Sequence, residues 1–336
     1  MRVSQAYGAT DTGRRRRHNE DAYVCDPPLF AIADGMGGAQ AGEVASGLAA
    51  AALAERGRAN GGEQQVAELI QEANRRVHER ASTDAATSGM GTTMTVALVE
   101  PDGGVRFGHV GDSRAYLLRD GRLDQLTDDH TLVAELVRRG ELSPSDAEIH
   151  PQRSVITRAL GTDPDVDVDT FAIAGQAGDV FLLCSDGLSS MVAGETIERI
   201  LEQHRGDLQT AGKALIHAAN RGGGEDNITA VLFELADGAP AVLPPAADPD
   251  GPTREQVLAP EDEDTLHPED GVRLPPAADT MIVPAQALQP VPLGGEPAVP
   301  TQAAPQAGVG RRLLALLVIV VLIAVIVVLV WWGLAR

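Results

Sequence analysis

The 336-residue sequence predicts an α+β domain over residues 1–238, and three observations carry that expectation. Apolar runs rich in β-branched and aromatic residues, with turn glycines between them, recur through this stretch. Other stretches carry apolar residues three and four apart, the spacing of a helix. The strand-like runs cluster instead of alternating strictly with the helical ones, so helices should cover sheets.

In chain order, strands are expected at "AYVCD" (22–26) and "LFAIAD" (29–34), then helices at 42–56 and 63–81. Strands follow at "TTMTVALVE" (92–100), "VRFGHVG" (105–111) and "RAYLLRDG" (114–121), and a helix at 131–140. The strand "DVFLLCSDG" (179–187), a helix at 195–204 and the strand "ITAVLFEL" (228–235) complete the domain. Neither an internal repeat nor a boundary divides it.

Two further regions differ in composition. Residues 239–310 hold 15 of the 21 prolines and the acidic run "EDEDTLHPED" (261–270), and two arginines against eleven acids leave a net charge of −9. Such a segment cannot bury enough apolar surface to offset its ordering entropy, so a disordered tether is expected. Its threonines 253, 265, 280 and 301 are either phosphorylation sites or solvated linker residues. Residues 311–336 contain the uncharged run "LLALLVIVVLIAVIVVLVWW" (313–332), whose length matches the ~20 residues needed to cross a bilayer. Arg311 and Arg312 before it put that side in the cytoplasm by the positive-inside rule. The expected location is therefore the cell membrane, single-pass, with residues 1–238 cytoplasmic; the N-terminus has no apolar core of a secretory signal.

The net charge of −21 argues against unspecific nucleic-acid binding. The two cysteines, Cys25 and Cys184, sit in strand-like runs and read as buried reduced thiols.

Five short motifs place an acid at the end of an apolar strand or in a tight turn: "NEDAYV" (Glu20, Asp21), "FAIADGMGG" (Asp34), "HVGDSRAYL" (Asp112), "FLLCSDGL" (Asp186) and "GGGEDNITAVLFE" (Asp226). One such acid caps a turn. Five that converge would repel one another unless hard cations neutralised them, and magnesium and manganese choose oxygen ligands. Gly35 lacks Cβ, so its carbonyl can approach an ion. "DGMGG" is no nucleotide loop, because no lysine follows. The cluster "GRRRRHNED" carries either a guanidinium for a phosphate dianion or a solvated basic patch. No nucleophile with a matched base is evident, and a hydroxide bridging two divalent ions removes the need for one.

The order of these motifs resembles the type 2C, metal-dependent serine/threonine protein phosphatase family, from about Val3 to Leu235. The resemblance implies a four-layer α/β/β/α sandwich, two antiparallel sheets flanked by helices, with two Mn2+ or Mg2+ ions in a cleft at one end. It implies that Arg16, five residues before Asp21, grips the substrate phosphate. Asp34 would bridge the ions, Gly35 would lend its carbonyl, and Asp186 and Asp226 would complete the first site. The second would hold Asp34, Gly35 and either Asp21 or Glu20, directly or through water. A weaker third ion would fall to Asp112 and Asp186, beside a mobile flap over residues 138–161. Met36 stands where many eukaryotic members have a histidine proposed as general acid, and a thioether cannot donate a proton. His130 is either an outer partner of the site or a structural histidine.

The implied activity is hydrolysis of phosphoserine and phosphothreonine on proteins, with membrane serine/threonine kinases and their targets as partners by family analogy. The alternatives are an inactive phosphopeptide-binding scaffold, which should have lost a metal aspartate, and a hydrolase of small phosphate esters.

Overall fold

Strand β3 (Leu29–Met36) shows how the sequence builds the layers. Successive side chains of a strand point to opposite faces. Phe30 and Ile32 enter one apolar cluster, while Leu29, Ala31 and Ala33 enter another, and all five are buried. A strand covered on both faces reads as a continuous apolar run, which is why "LFAIAD" shows no alternation.

The computed structural model describes residues 1–37, 41–56, 62–238 and 281–282. One antiparallel sheet has the order β1 (Arg2–Asp11), β12 (Ile228–Ala236), β11 (Val180–Cys184), β7 (Arg114–Arg119), β8 (Arg122–Gln125). The other runs β10 (Asp169–Ala174), β6 (Gly104–Val110), β5 (Met94–Val99), β3, β2 (Asp21–Asp26), and β4 (Gly91–Thr92) pairs with the end of β3.

The sheets pack face to face through all five phenylalanines of the chain. Phe30 stacks on Phe233 at 4.1 Å between ring centroids, Phe233 on Phe181 at 4.8 Å, and Phe107 on Phe171 at 4.9 Å. Each fully buried phenylalanine contributes roughly 1.5–3 kcal/mol over leaving it in water. Outside the second sheet lie α1 (Ala41–Arg56) and α2 (Gly62–Thr83). In α1, Ala45, Ala49, Ala52 and Leu53 form a stripe of small buried residues that lets the helix approach closely. Outside the first sheet lie α6 (Gly194–Gln203) and α7 (Leu208–Gly222), which bury Ile197, Leu201, Ala211 and Leu215. The four expected layers are present.

The expected strands and helices all form, with ends shifted by a few residues. Strands β1, β8 and β10 and helix α7 were not anticipated. Cys184 is fully buried, whereas Cys25, on edge strand β2, is only half-buried, and both are free thiols. The expected flap contains two short elements, α4 (Pro144–Glu148) and β9 (Val155–Ile156), after helix α3 (Leu132–Arg138). Met281–Ile282 forms β13, parallel to β9. The rest of the tether and the apolar run 313–332 lie outside the described residues. Among the described residues no helix is long and apolar enough to cross a membrane.

Candidate active site

Register brings the acids to one end of the sandwich. Asp21 opens β2 directly opposite Asp34 near the end of β3, and paired residues of antiparallel strands project to the same face. In the other sheet Asp11 pairs with Ile228 and Cys184 with Ala230, so the ends of β1 and β11 and the start of β12 coincide. Asp186 opens the short helix α5 (Asp186–Ser189) just past β11, and Asp226 precedes β12. Asp112 lies in the turn from β6 to β7, where Arg114 pairs with Cys184. Acids from positions 21 to 226 thus meet across both sheets.

Two glycines permit the approach. A Cβ on Gly35 would lie 2.1 Å from the Gly42 carbonyl oxygen and 2.5 Å from that of Glu20. A Cβ on Gly187 would lie 2.0 Å from the Asn227 carbonyl oxygen, so only glycine lets the Asp186 turn abut the Asp226 loop.

Electrostatics follow from this crowding. Burial raises Asp21 to about 6, with Asp226 adding repulsion against hydrogen bonds that favour the carboxylate. Burial and then Asp129 raise Asp112 to about 7, opposed by Arg114. Asp34 stands well above the usual carboxylate range through burial and the charges of Asp21, Asp186, Asp226 and Asp112. Asp186 is lifted in the same way by burial, Asp112, Asp226 and Asp21. Asp34 is within hydrogen-bond reach of both Asp21 and Asp186. Glu20 is raised by burial, but its neighbours are Arg16, Asp226, Glu43 and His18. It therefore borders the cluster, whereas Asp21 belongs to it.

Four mutually repelling, protonation-prone carboxyls suit a hard divalent cation. Asp21 Oδ1 and Asp186 Oδ1 are buried without any hydrogen-bond partner, so both have lone pairs to give. Among the described residues no three acidic, histidine or cysteine side chains form a ready-made cage. The residues fit such ions.

Of the four arginines, Arg14, Arg15 and Arg17 are exposed and only Arg16 turns inward. Its Nη2 donates to Asp226 Oδ2 at 2.8 Å, while its buried Nε has no partner. The loop carrying it is held by Asn227, which sequence reasoning missed. The Asn227 side-chain amide donates to the carbonyls of Thr12 (2.9 Å) and His18 (3.0 Å), and its Oδ1 accepts from the Glu20 amide (2.8 Å). Thr229, which donates to Asp21 Oδ2 at 2.5 Å, was also missed, as was Thr93, whose hydroxyl accepts from the Asp34 amide at 3.0 Å. A signal existed for two of these in "DNIT", whose polar residues follow the acid at the strand start. Met36 is buried against Ile156 and Ala159 of the flap.

A family model described as protein phosphatase 2C matches residues 13–221. The chain is 43% identical over 237 residues to the serine/threonine phosphatase stp of Listeria monocytogenes, covering 67% of this chain and 93% of that one. The crystal structure of the Mycobacterium tuberculosis serine/threonine phosphatase PstP/Ppp superposes with a TM-score of 0.65 at 40% identity, over 70% of this chain and 100% of that one. The catalytic domain of the serine/threonine protein phosphatase PstP in complex with two manganese ions superposes with a TM-score of 0.63 at 38% identity, over 70% and 99%.

Proposed function

The chain belongs to the protein phosphatase 2C family, and from that membership we propose how its residues hydrolyse phosphoserine and phosphothreonine esters on proteins. It is a metal-dependent serine/threonine protein phosphatase. The observation that carries the mechanistic reading is the convergence of Asp21, Asp34, Asp186 and Asp226 beside the inward-turned Arg16.

In this reading Asp34, the Gly35 carbonyl, Asp21, Asp186 and Asp226 would hold two cations. Asp112 and Asp186 would hold a weaker third. Manganese or magnesium bound there would supply Lewis acidity and make a water more acidic. The free Nε and the remaining guanidinium edge of Arg16 bind the phosphate dianion, and Asn227 fixes the loop so that they point inward. Thr229 orients Asp21, and Thr93 orients the backbone of Asp34. Met36 cannot protonate the leaving group and instead seats the flap. An inactive scaffold would have lost an acid, and every one the family pattern asks for is present.

Residues 1–238 with manganese are expected to release phosphate from a phosphothreonine peptide, and excess chelator to stop the release. No hydrolysis with any divalent metal would sink the mechanism, and a preference for nucleotide or sugar phosphates over the peptide would replace the substrate class.

The tether and the run 313–332 support a second proposal, that the phosphatase is anchored in the cell membrane facing the cytoplasm, near membrane serine/threonine kinases and their substrates. The full chain should sediment with membranes and resist salt extraction, and truncation after Gly310 should free an active enzyme. Cleavage of the catalytic domain by protease added outside intact cells would invert this topology.

A further inference from the structure

His130 is buried at 2% exposure and belongs to none of the groups that face the substrate. Its Nδ1 accepts the Gly111 N–H at 3.0 Å, and the His130 backbone N–H donates to the Gly111 carbonyl at 2.8 Å. An amide can only donate, so Nδ1 carries no proton and the ring hydrogen sits on Nε2. That hydrogen is donated to Asp169 Oδ2 at 3.1 Å. The other oxygen of Asp169 accepts from Arg158 Nη1 at 2.5 Å, and Arg158 belongs to the flap. Burial, then the Arg158 charge, disfavours the protonated ring. His130 is therefore no general acid: one nitrogen is committed to an amide and the other to Asp169.

The neighbouring contacts give this ring a different task. Its face packs on His109 at 4.8 Å between centroids, and His109, held neutral with its pKa down to about 3 by burial and then His130, bonds Thr95 through Nδ1. The Thr95 hydroxyl also reaches the Ser113 carbonyl at 3.1 Å, and the Ser113 hydroxyl meets that of Thr93 at 2.8 Å. The turn Gly111–Asp112–Ser113 is thus gripped at its start by His130 and at its end by the threonines under Asp34. On the flap side, the Thr157 amide donates to the His130 carbonyl at 2.9 Å, and Thr131 bridges Ile156.

We propose that His130 is a positioning residue that couples the flap to the Asp112 turn: Arg158 sets Asp169, Asp169 sets the His130 ring, and the ring sets the Gly111 amide and with it the Asp112 carboxylate. The consequence for catalysis rests on the reading of Asp112 as a ligand of the weaker cation. The geometric link does not.

Two readouts on the full chain test it. In amide hydrogen exchange under chelator, Asp169→Ala should speed exchange of the Gly111 amide roughly five- to tenfold, the effect of weakening one neutral hydrogen bond. His130→Asn keeps an acceptor near the place of Nδ1 but no donor for Asp169. It should by itself speed Gly111 exchange about as much as Asp169→Ala does, and adding Asp169→Ala to it should then change nothing further at Gly111. In the second readout, His130→Leu should raise the manganese concentration for half-maximal hydrolysis of an aryl phosphate about tenfold, with little change in the rate at saturating manganese. His130→Asn, which keeps the acceptor for the Gly111 amide but not the link to Asp169, should restore the normal requirement only in part. Unchanged Gly111 exchange in Asp169→Ala overturns the coupling. So does a lower melting temperature in both His130 variants with an unaltered manganese requirement, which would mark a packing residue. The exchange experiment needs neither metal nor substrate, so failure of the phosphatase mechanism would not be mistaken for failure of this link.

Discussion

Asp34→Asn is expected to abolish turnover, a loss on the order of a thousandfold or more, while the domain stays folded. The carboxylate sits where the charges of Asp21, Asp186, Asp226 and Asp112 overlap, and an amide in its place removes the charge that would hold two cations together. Calorimetry should show weakened manganese binding, and wild-type affinity and rate would refute the assignment. The same variant has a signature in stability. Asp21 and Asp112 stand at about 6 and 7, above the value near 4 of an unfolded aspartate, and Asp34 and Asp186 are also raised. Folded carboxyls therefore keep protons that unfolded ones have released. Stability is full below about pH 4 and falls as pH rises through the folded values. Under chelator the melting temperature should drop between about pH 5 and pH 8, less steeply in Asp34→Asn, which has one group fewer to ionise. Manganese should restore the wild type at the upper end and leave the variant behind.

Arg16→Ala should cut kcat/KM about tenfold to hundredfold, mainly through KM, for phosphopeptides and for a small aryl phosphate alike, because both present the same dianion. A charge-assisted hydrogen bond is worth roughly 1.5–3 kcal/mol. Arg15→Ala, at an exposed position, should do little. The ion pair with Asp226 adds a discriminating measurement. Losing Arg16 frees that carboxylate from a competing positive charge, so manganese affinity should hold or rise even as phosphate affinity falls. Lysine at position 16 should rescue only in part, since it offers a point charge where arginine offers a planar fork. Equal, mild, salt-sensitive effects from Arg15→Ala and Arg16→Ala would reduce the cluster to diffuse electrostatics.

The acids were legible because each ends an apolar run beside a residue that turns the chain, a pattern that local sequence carries in full. Helices covering sheets were legible in the clustering of strand-like runs, whereas the four layers came from the family resemblance; in β3 large Phe30 and Ile32 fill the space between sheets while small Ala31 and Ala33 face the helices. Helix α7 escaped because its buried stripe of Leu208, Ala211, Gly212, Leu215 and Ala219 is mostly small residues and includes a glycine, a poor helix former. Its start was written in Asp207, whose carboxylate accepts from the Thr210 amide at 3.0 Å. The choice of Arg16 among four arginines could not be read locally. It depends on Asn227, 4% exposed and brought across from the far end of the domain, gripping the loop. For His130 the sequence left an outer partner and a structural histidine both open, because its bonds to Gly111 and Asp169 join elements that only the fold brings together.

Strand β1 has a single neighbour in its sheet, β12, and the hydroxyls of Thr10 and Thr229 that meet at 2.7 Å are separated by 219 residues of chain. On a ribosome adding about 5–20 residues per second, the first strand waits roughly ten to forty-five seconds for its partner to be made. An unpaired strand edge invites adhesion to other chains during such a wait. "RVSQAYGATD" is built to tolerate it: glycine, alanines, serine, glutamine and threonine leave few apolar side chains to stick. The low apolarity that hid β1 from sequence reading is therefore its protection during synthesis, and the catalytic end, which needs β12 to deliver Asp226 and Asn227, comes into being only once β12 has been made.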